Sequence, residues 1–146
     1  MLRKQLLVVI GLLLLLPLAY AGKPPVFATS DGAIRGYDPV AYFTEGKPTK
    51  GNNDYTFEWM GEKFKFASAE NLALFEADPE KYAPQYGGYC AYAVSEGYTA
   101  STVAEAWTVV DDKLYLNYSP GVRSRWAKNI PNRIDAANEN WPEVLN

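Results

Sequence analysis

The sequence predicts a single small α+β domain with two β-hairpins and four or five short helices. Two pairs of segments alternate polar and apolar residues on either side of a short turn, as hairpin strands do. Several Ser or Asp residues stand directly before a proline or an apolar run, as helix N-caps do. The 146 residues, 48% of them hydrophobic and 21% charged, contain no repeat and no long linker, which favours one core.

Residues 1–21 have the features of an export signal. Arg3 and Lys4 precede an apolar run over residues 6–18, and small residues at positions 19 and 21 favour cleavage after Ala21. The run is about 13 residues long, whereas a bilayer span needs roughly 20, so a retained anchor is the alternative. We therefore expect a periplasmic or secreted protein, with no stable membrane insertion after signal cleavage. Cleavage would take the net charge from −3 to −5, because it removes two basic residues.

The first part of the mature chain is expected to be a flexible N-terminal arm over residues 22–35, followed by a domain over residues 36–146. The arm contains prolines and has no periodicity, and a second cleavage site after Ala28 is an alternative to Ala21. Asp38 and Pro39 then indicate an N-cap and first helical residue for a short apolar helix that stops at Gly46.

The first predicted hairpin has strands at 55–60 and 63–66, with Gly61 and Glu62 as the turn. Ser68 is expected to cap a helix that runs to Asp78 and is ended by Pro79. The predicted core face of this helix consists of Leu72, Phe75 and either Ala69 or Leu74.

In the second half of the chain, the residue pattern predicts a buried helix over 89–95, a second hairpin over 106–117 and C-terminal helices. The hairpin turns at Asp111 and Asp112, which could also be a carboxylate pair, although Asp is common in turns. Ser119 and Pro120 indicate the start of the next helix. The apolar stripes of the C-terminal helices are Val122, Trp126 and Ile130, then Ile134, Ala137 and Trp141.

Residue counts exclude much chemistry. The chain has no histidine, so it has no Ser-His-Asp or Cys-His nucleophile and no imidazole metal ligand. A single cysteine excludes an intramolecular disulfide and a CxxC pair. The acidic balance and scattered Lys and Arg argue against nucleic acid as a partner. With no acid–base pair singled out by spacing, we expect a protein that is not an enzyme.

Three segments are similar to the YHS domain family. Residues 61–82 (GEKFKFASAENLALFEADPEKY) resemble the family's aromatic strand, short helix and closing D-P-E-K-Y, and residues 36–43 and 86–94 resemble its exported, single-domain branch. The resemblance implies a YHS-like fold over nearly the whole mature chain. It also implies a link to metal handling, because some family members bind metal through cysteines and a histidine at the strand-to-helix junction.

The metal ligands implied by the resemblance are missing here. The matching positions are Ala67, Glu70 and Asn71, none of which is a soft ligand for Cu(I) or Zn(II). The remaining metal candidate is Cys90, which could bind copper together with Met60 or join two protomers as a homodimer. The alternative is that Cys90 is a small buried hydrophobic residue.

An aromatic and glycine-rich segment is the predicted ligand-binding site for a small ligand or a protein partner. Its residues are Tyr86, Gly87, Gly88, Tyr89 and Tyr92. The glycines could admit a ligand close to the backbone or could serve turns and packing. The four tryptophans could line a pocket or form core.

The sequence therefore predicts an exported non-enzymatic YHS-like binding module with no required cofactor. The alternative is a copper or other metal-handling accessory protein that uses Cys90.

Overall fold

The structure, a computed structural model, describes residues 22–146, so the predicted export signal lies outside the described residues. This part of the chain is one α+β domain, as predicted. Its strands pair as three antiparallel hairpins. They are β1 (Ala28–Thr29) with β2 (Gly32–Ala33), β3 (Asn52–Trp59) with β4 (Glu62–Phe66), and β5 (Trp107–Val110) with β6 (Lys113–Leu116). The α-helices are α1 (Ala41–Thr44), α2 (Ala69–Ala77), α3 (Pro79–Tyr82), α4 (Ala91–Ser95), α5 (Pro120–Trp126) and α6 (Ile130–Asn140).

The β3–β4 hairpin turns one residue earlier than the sequence indicated. Trp59 pairs with Glu62, so Met60 and Gly61 form the turn, with φ of 49° and 83°. Positive φ at both central positions is the geometry of the two-residue turn that suits the right-handed twist of paired strands. The consequence is that the Met60 side chain stands at the tip of the hairpin and is 52% exposed.

Helix α2 covers the buried face of this hairpin. The Ser68 hydroxyl accepts a hydrogen bond from the backbone N–H of Asn71 at 3.1 Å, which confirms the predicted N-cap. Phe75 is fully buried, with its ring centroid 5.0 Å from that of Phe64 and 5.1 Å from that of Phe66.

The third core position of α2 was predicted to be Ala69 or Leu74, and both are exposed. Asn71 is buried in their place. Its polar side chain is satisfied by a hydrogen bond that spans two segments of the chain, described below.

A second core lies under the C-terminal helices. Ser119 caps α5 by accepting a hydrogen bond from the N–H of Val122 at 3.1 Å, as predicted. Trp126 at the end of α5 is fully buried, 5.4 Å from the ring of Tyr115. Helix α6 packs along α4 and contributes Ala137 to the same cluster.

The segment 22–35, expected to be a flexible arm, is folded onto the domain. Val26 is 1% exposed and belongs to the first core cluster. The Lys23 N–H donates to the carbonyl of Leu145 at 2.7 Å, and the Phe27 N–H donates to that of Gly87 at 2.9 Å. Residues 28–33 of this segment form the short β1–β2 hairpin, and the remainder is held by contacts with distant parts of the chain, so no long regular element gives the sequence a periodicity here.

Within residues 22–146, the helices are too short or too polar for any of them to cross a bilayer.

Candidate functional site

An open cavity of about 360 Å³ lies between the tip of the β3–β4 hairpin, the segment after α3, and the C-terminal end of α6. We call it the tryptophan cavity. The side chains and backbone that matter for its chemistry belong to Pro25, Trp59, Met60, Glu80, Tyr86, Gly87 and Trp141. Its volume falls in the range of about 300–1,000 Å³ typical of small-molecule sites.

The aromatic rings that line the cavity are held in place by contacts with the protein core. Trp59 packs edge-on against Phe75 at 5.9 Å, which anchors it to the first core. The ring centroid of Tyr86 lies 6.0 Å from that of Trp141, and the Tyr86 hydroxyl donates a hydrogen bond to the side-chain oxygen of Asn138 at 2.9 Å. Burial raises the pKa of Tyr86 well above its ordinary value, so this hydroxyl stays protonated and acts as a donor.

Position 87 requires glycine because another segment of the chain packs directly against it. Its φ is +62°, and a Cβ at this position would lie 1.8 Å from the carbonyl oxygen of Pro25. Gly88 has a φ of +85°, and its Cβ would meet the side chain of Ile34 at 2.5 Å. The space beside these two glycines is therefore filled by Pro25 and Ile34 of the same chain rather than left for a ligand. Gly87 contributes only backbone atoms to the cavity wall.

Tyr89 faces the core rather than the cavity. It is buried, its hydroxyl donates to the carbonyl of Pro24 at 2.8 Å, and its ring lies 5.9 Å from that of Phe27. Tyr92 is farther along the chain on α4, where the guanidinium of Arg133 stacks over its ring at 4.2 Å. Of the predicted ligand-binding residues, Tyr86 and Gly87 thus line the tryptophan cavity.

The two predicted metal ligands, Met60 and Cys90, line different cavities. Met60 borders the tryptophan cavity, whereas Cys90 borders a cavity of about 270 Å³ together with Tyr92, Tyr98 and Tyr118. Within residues 22–146 there is also no group of three or more Cys, Asp and Glu side chains that could hold a metal ion.

Cys90 is 1% exposed and is engaged on both sides. Its Sγ accepts a hydrogen bond from the Tyr118 N–H at 3.3 Å and donates to Oδ1 of Asn117 at 3.5 Å. Asn117 is itself fully buried, and the same Oδ1 accepts from the N–H of Tyr92 at 3.0 Å. Burial raises the pKa of the Cys90 thiol, which favours the neutral form over the thiolate that binds metals.

The strand-to-helix junction, where the family resemblance implies metal ligands, holds a buried carboxylate. Oδ2 of Asp38 accepts hydrogen bonds from the N–H of Ala67 at 2.9 Å and from Nδ2 of Asn71 at 2.8 Å. Oδ1 accepts from the N–H groups of Val40 at 2.8 Å and Ala41 at 3.2 Å. Four N–H donors occupy the lone pairs that a cation would need, so these residues do not fit a metal ion.

Comparison with known proteins identifies the class of domain. The family model of the YHS domain matches residues 40–86, so the chain carries a YHS domain, as the sequence resemblance predicted. No curated protein and no solved structure matches the chain. The matched segment supplies Trp59, Met60, Glu80 and Tyr86 to the tryptophan cavity, while Pro25 and Trp141 come from outside it.

Neither Glu80 nor Pro25 was predicted to be a site residue, and a pocket and a core position were both considered for the four tryptophans. The structure separates them: Trp126 is core, Trp107 packs on Tyr42, and Trp59 and Trp141 line the cavity.

Proposed function

We propose that the protein is an exported, non-enzymatic YHS module that binds a small ligand in the tryptophan cavity. The observation that carries the proposal is the convergence of Trp59, Tyr86 and Trp141 on one open cavity. Aromatic walls with a few polar groups are characteristic of ligand sites.

The cavity walls are preorganised, which supports binding. Trp59 is anchored on Phe75, and the Tyr86 hydroxyl is bound to Asn138. A ligand therefore meets rings that have little conformational freedom left to lose, and this limits the entropic cost of association.

The chemistry of the walls supports binding rather than catalysis. Glu80 is the carboxyl group in this cavity, and the Tyr86 hydroxyl is already committed to Asn138. General acid–base catalysis needs a proton donor and acceptor that can both reach a substrate. Export is supported by the charged and apolar pattern of residues 1–21.

The proposal is tested with the full chain labelled with 5-fluorotryptophan, which gives a ¹⁹F resonance for each tryptophan. Cyclohexanol, a neutral apolar probe, should shift the resonances of Trp59 and Trp141 in a saturable way. Trp107 and Trp126 serve as internal controls, because neither lines the cavity. Shifts that are equal at all four tryptophans, or that are absent both with cyclohexanol and with the charged and neutral probes used below, would overturn the proposal. Single Trp→Phe variants assign the resonances.

A further inference from the structure

We infer that the ligand of the tryptophan cavity is an organic cation, with a quaternary ammonium group such as a trimethylalkylammonium as its recognised part. The inference rests on the proposed function and adds the chemical class of the ligand. It is carried by the juxtaposition, in one cavity, of three electron-rich rings with a carboxylate and no basic side chain.

Acidic side chains line the tryptophan cavity and a neighbouring one. Glu80 is exposed at the start of α3 and lines the tryptophan cavity, while Glu62 lines an adjoining cavity that shares Pro25 and Met60 with it. None of the residues that line the tryptophan cavity is Lys or Arg. A cation that enters this cavity therefore meets the Glu80 carboxylate and no Lys or Arg side chain in the cavity lining.

Two lysines, one in an adjoining cavity and one next to Glu80 in the sequence, are engaged elsewhere. Lys23 lines a second adjoining cavity, but its ammonium donates to the Thr99 hydroxyl at 2.6 Å. Lys81 follows Glu80, and its ammonium lies 5.3 Å from the ring centroid of Tyr82. Neither residue is part of the tryptophan cavity.

The cavity lining is rich in aromatic rings. Tyr86 and Trp141 both line it, and their rings, with centroids 6.0 Å apart, meet at an interplanar angle of 61° rather than in a parallel stack. Aromatic faces attract cations through the ring quadrupole, most strongly for tryptophan, and aromatic walls are how quaternary ammonium groups are recognised. Such a cation is weakly hydrated and apolar at its methyl groups, which also suits Pro25 and Met60.

The test compares choline with 3,3-dimethylbutan-1-ol, the neutral alcohol of the same shape, by ¹⁹F titration of the fluorotryptophan-labelled full chain. Choline should bind about tenfold more tightly, because the cation–π and carboxylate attractions act only on the charged ligand. Both ligands should shift Trp59 and Trp141. Equal affinity of the two ligands, or binding of the alcohol alone, would overturn the inference while leaving a cavity that binds apolar ligands.

Charge-neutral variants separate the role of Glu80 from folding. Glu80→Gln keeps the side-chain shape and should weaken choline binding about threefold to tenfold, with no effect on the alcohol. Glu76→Gln, an exposed carboxylate on α2 outside the tryptophan cavity, is the matched control and should change neither affinity. An equal loss of choline affinity in both variants would show that only the net charge of the protein matters, and this would contradict the inference. Absence of binding by choline, the alcohol and cyclohexanol would contradict the proposed function itself.

Discussion

Nδ2 of Asn71 donates a hydrogen bond to Oδ2 of the buried Asp38 carboxylate at 2.8 Å. This bond joins the loop before α1 to the first turn of α2 across 33 residues of sequence. The same carboxylate also binds three backbone N–H groups, so it holds the start of α1 and the junction between β4 and α2 together. The Asp38 carboxylate therefore has a structural role at this junction.

Replacing the Asp38 carboxylate should lower the stability of the protein. Asp38→Asn puts an NH₂ group where Oδ1 or Oδ2 now accepts two hydrogen bonds, so donors would face donors. We expect the free energy of unfolding to fall by about 2–4 kcal/mol, since charged hydrogen-bond acceptors are being removed from a buried site. Urea unfolding of Asp38→Asn measures it. Asp54→Asn, at an exposed position in β3, is the control and should stay within about 0.5 kcal/mol of the parent. A loss no larger than the control's would contradict the structural role.

Gly87 and Gly46 form a matched pair that separates backbone strain from steric overlap. Both have similar positive φ, but a Cβ at Gly87 would overlap the carbonyl of Pro25, whereas a Cβ at Gly46 meets nothing within 4 Å. Gly46→Ala should cost only the backbone term, about 1 kcal/mol. Gly87→Ala should cost clearly more and speed hydrogen exchange at the Phe27 amide, which donates to Gly87. Equal losses in the two variants would show that residues 25–27 are not held as described.

The Cys90 thiol should react slowly with a thiol reagent in the native state and rapidly in urea. Its burial removes access, and its raised pKa lowers the thiolate fraction at neutral pH. Ellman's reagent at pH 7.5 checks this, and a titration with Cu(I) against a competing chelator tests the metal-handling alternative on the same sample. Fast native reaction, a disulfide-linked dimer on a non-reducing gel, or copper binding lost in Cys90→Ser would place Cys90 in a functional site.

Alkaline pH should destabilise the fold. Burial raises the pKa of Tyr42, Tyr86, Tyr89, Tyr115 and Cys90, so each is held neutral in the folded state. A group with a raised folded pKa contributes stability that is present below its unfolded pKa and is lost as the pH rises above it. The free energy of unfolding should therefore decline from about pH 8.5 upward, where unfolded Cys and then Tyr begin to ionise.

A variant identifies the groups responsible. Tyr86→Phe removes one ionisable group and should make the decline above pH 9 less steep. Tyr98→Phe, at an exposed tyrosine, should leave the slope unchanged. Stability that is flat up to pH 11, or identical slopes in both variants, would contradict the described burial.

Local signals in the sequence were enough for the class of fold and for the starts of helices α2 and α5. Ser68 and Ser119 cap their helices because capping depends on residues only three positions apart. The alternating strands of the two larger hairpins were recognised for the same reason. The burial of Asn71 was missed, because its partner Asp38 is distant in sequence and neither residue is apolar.

The site was harder to predict than the fold, because the residues of the tryptophan cavity come from distant segments. Pro25, Trp59, Tyr86 and Trp141 meet through tertiary packing, and no spacing rule connects them. Tyr86 and Gly87 of the predicted ligand-binding segment line this cavity, and their role in binding stays a prediction. Gly88 and Tyr89 follow directly in the sequence but do not line the cavity, because Gly88 lies against Ile34 and Tyr89 packs on Phe27.

Intermolecular nuclear Overhauser effects between choline and the full-length protein would locate the bound ligand directly. We expect the N-methyl protons of choline to contact the indole protons of Trp59 and Trp141. Contacts confined to Tyr98 and Tyr118, which line the cavity beside Cys90, would place the ligand in the other cavity and contradict the central claim.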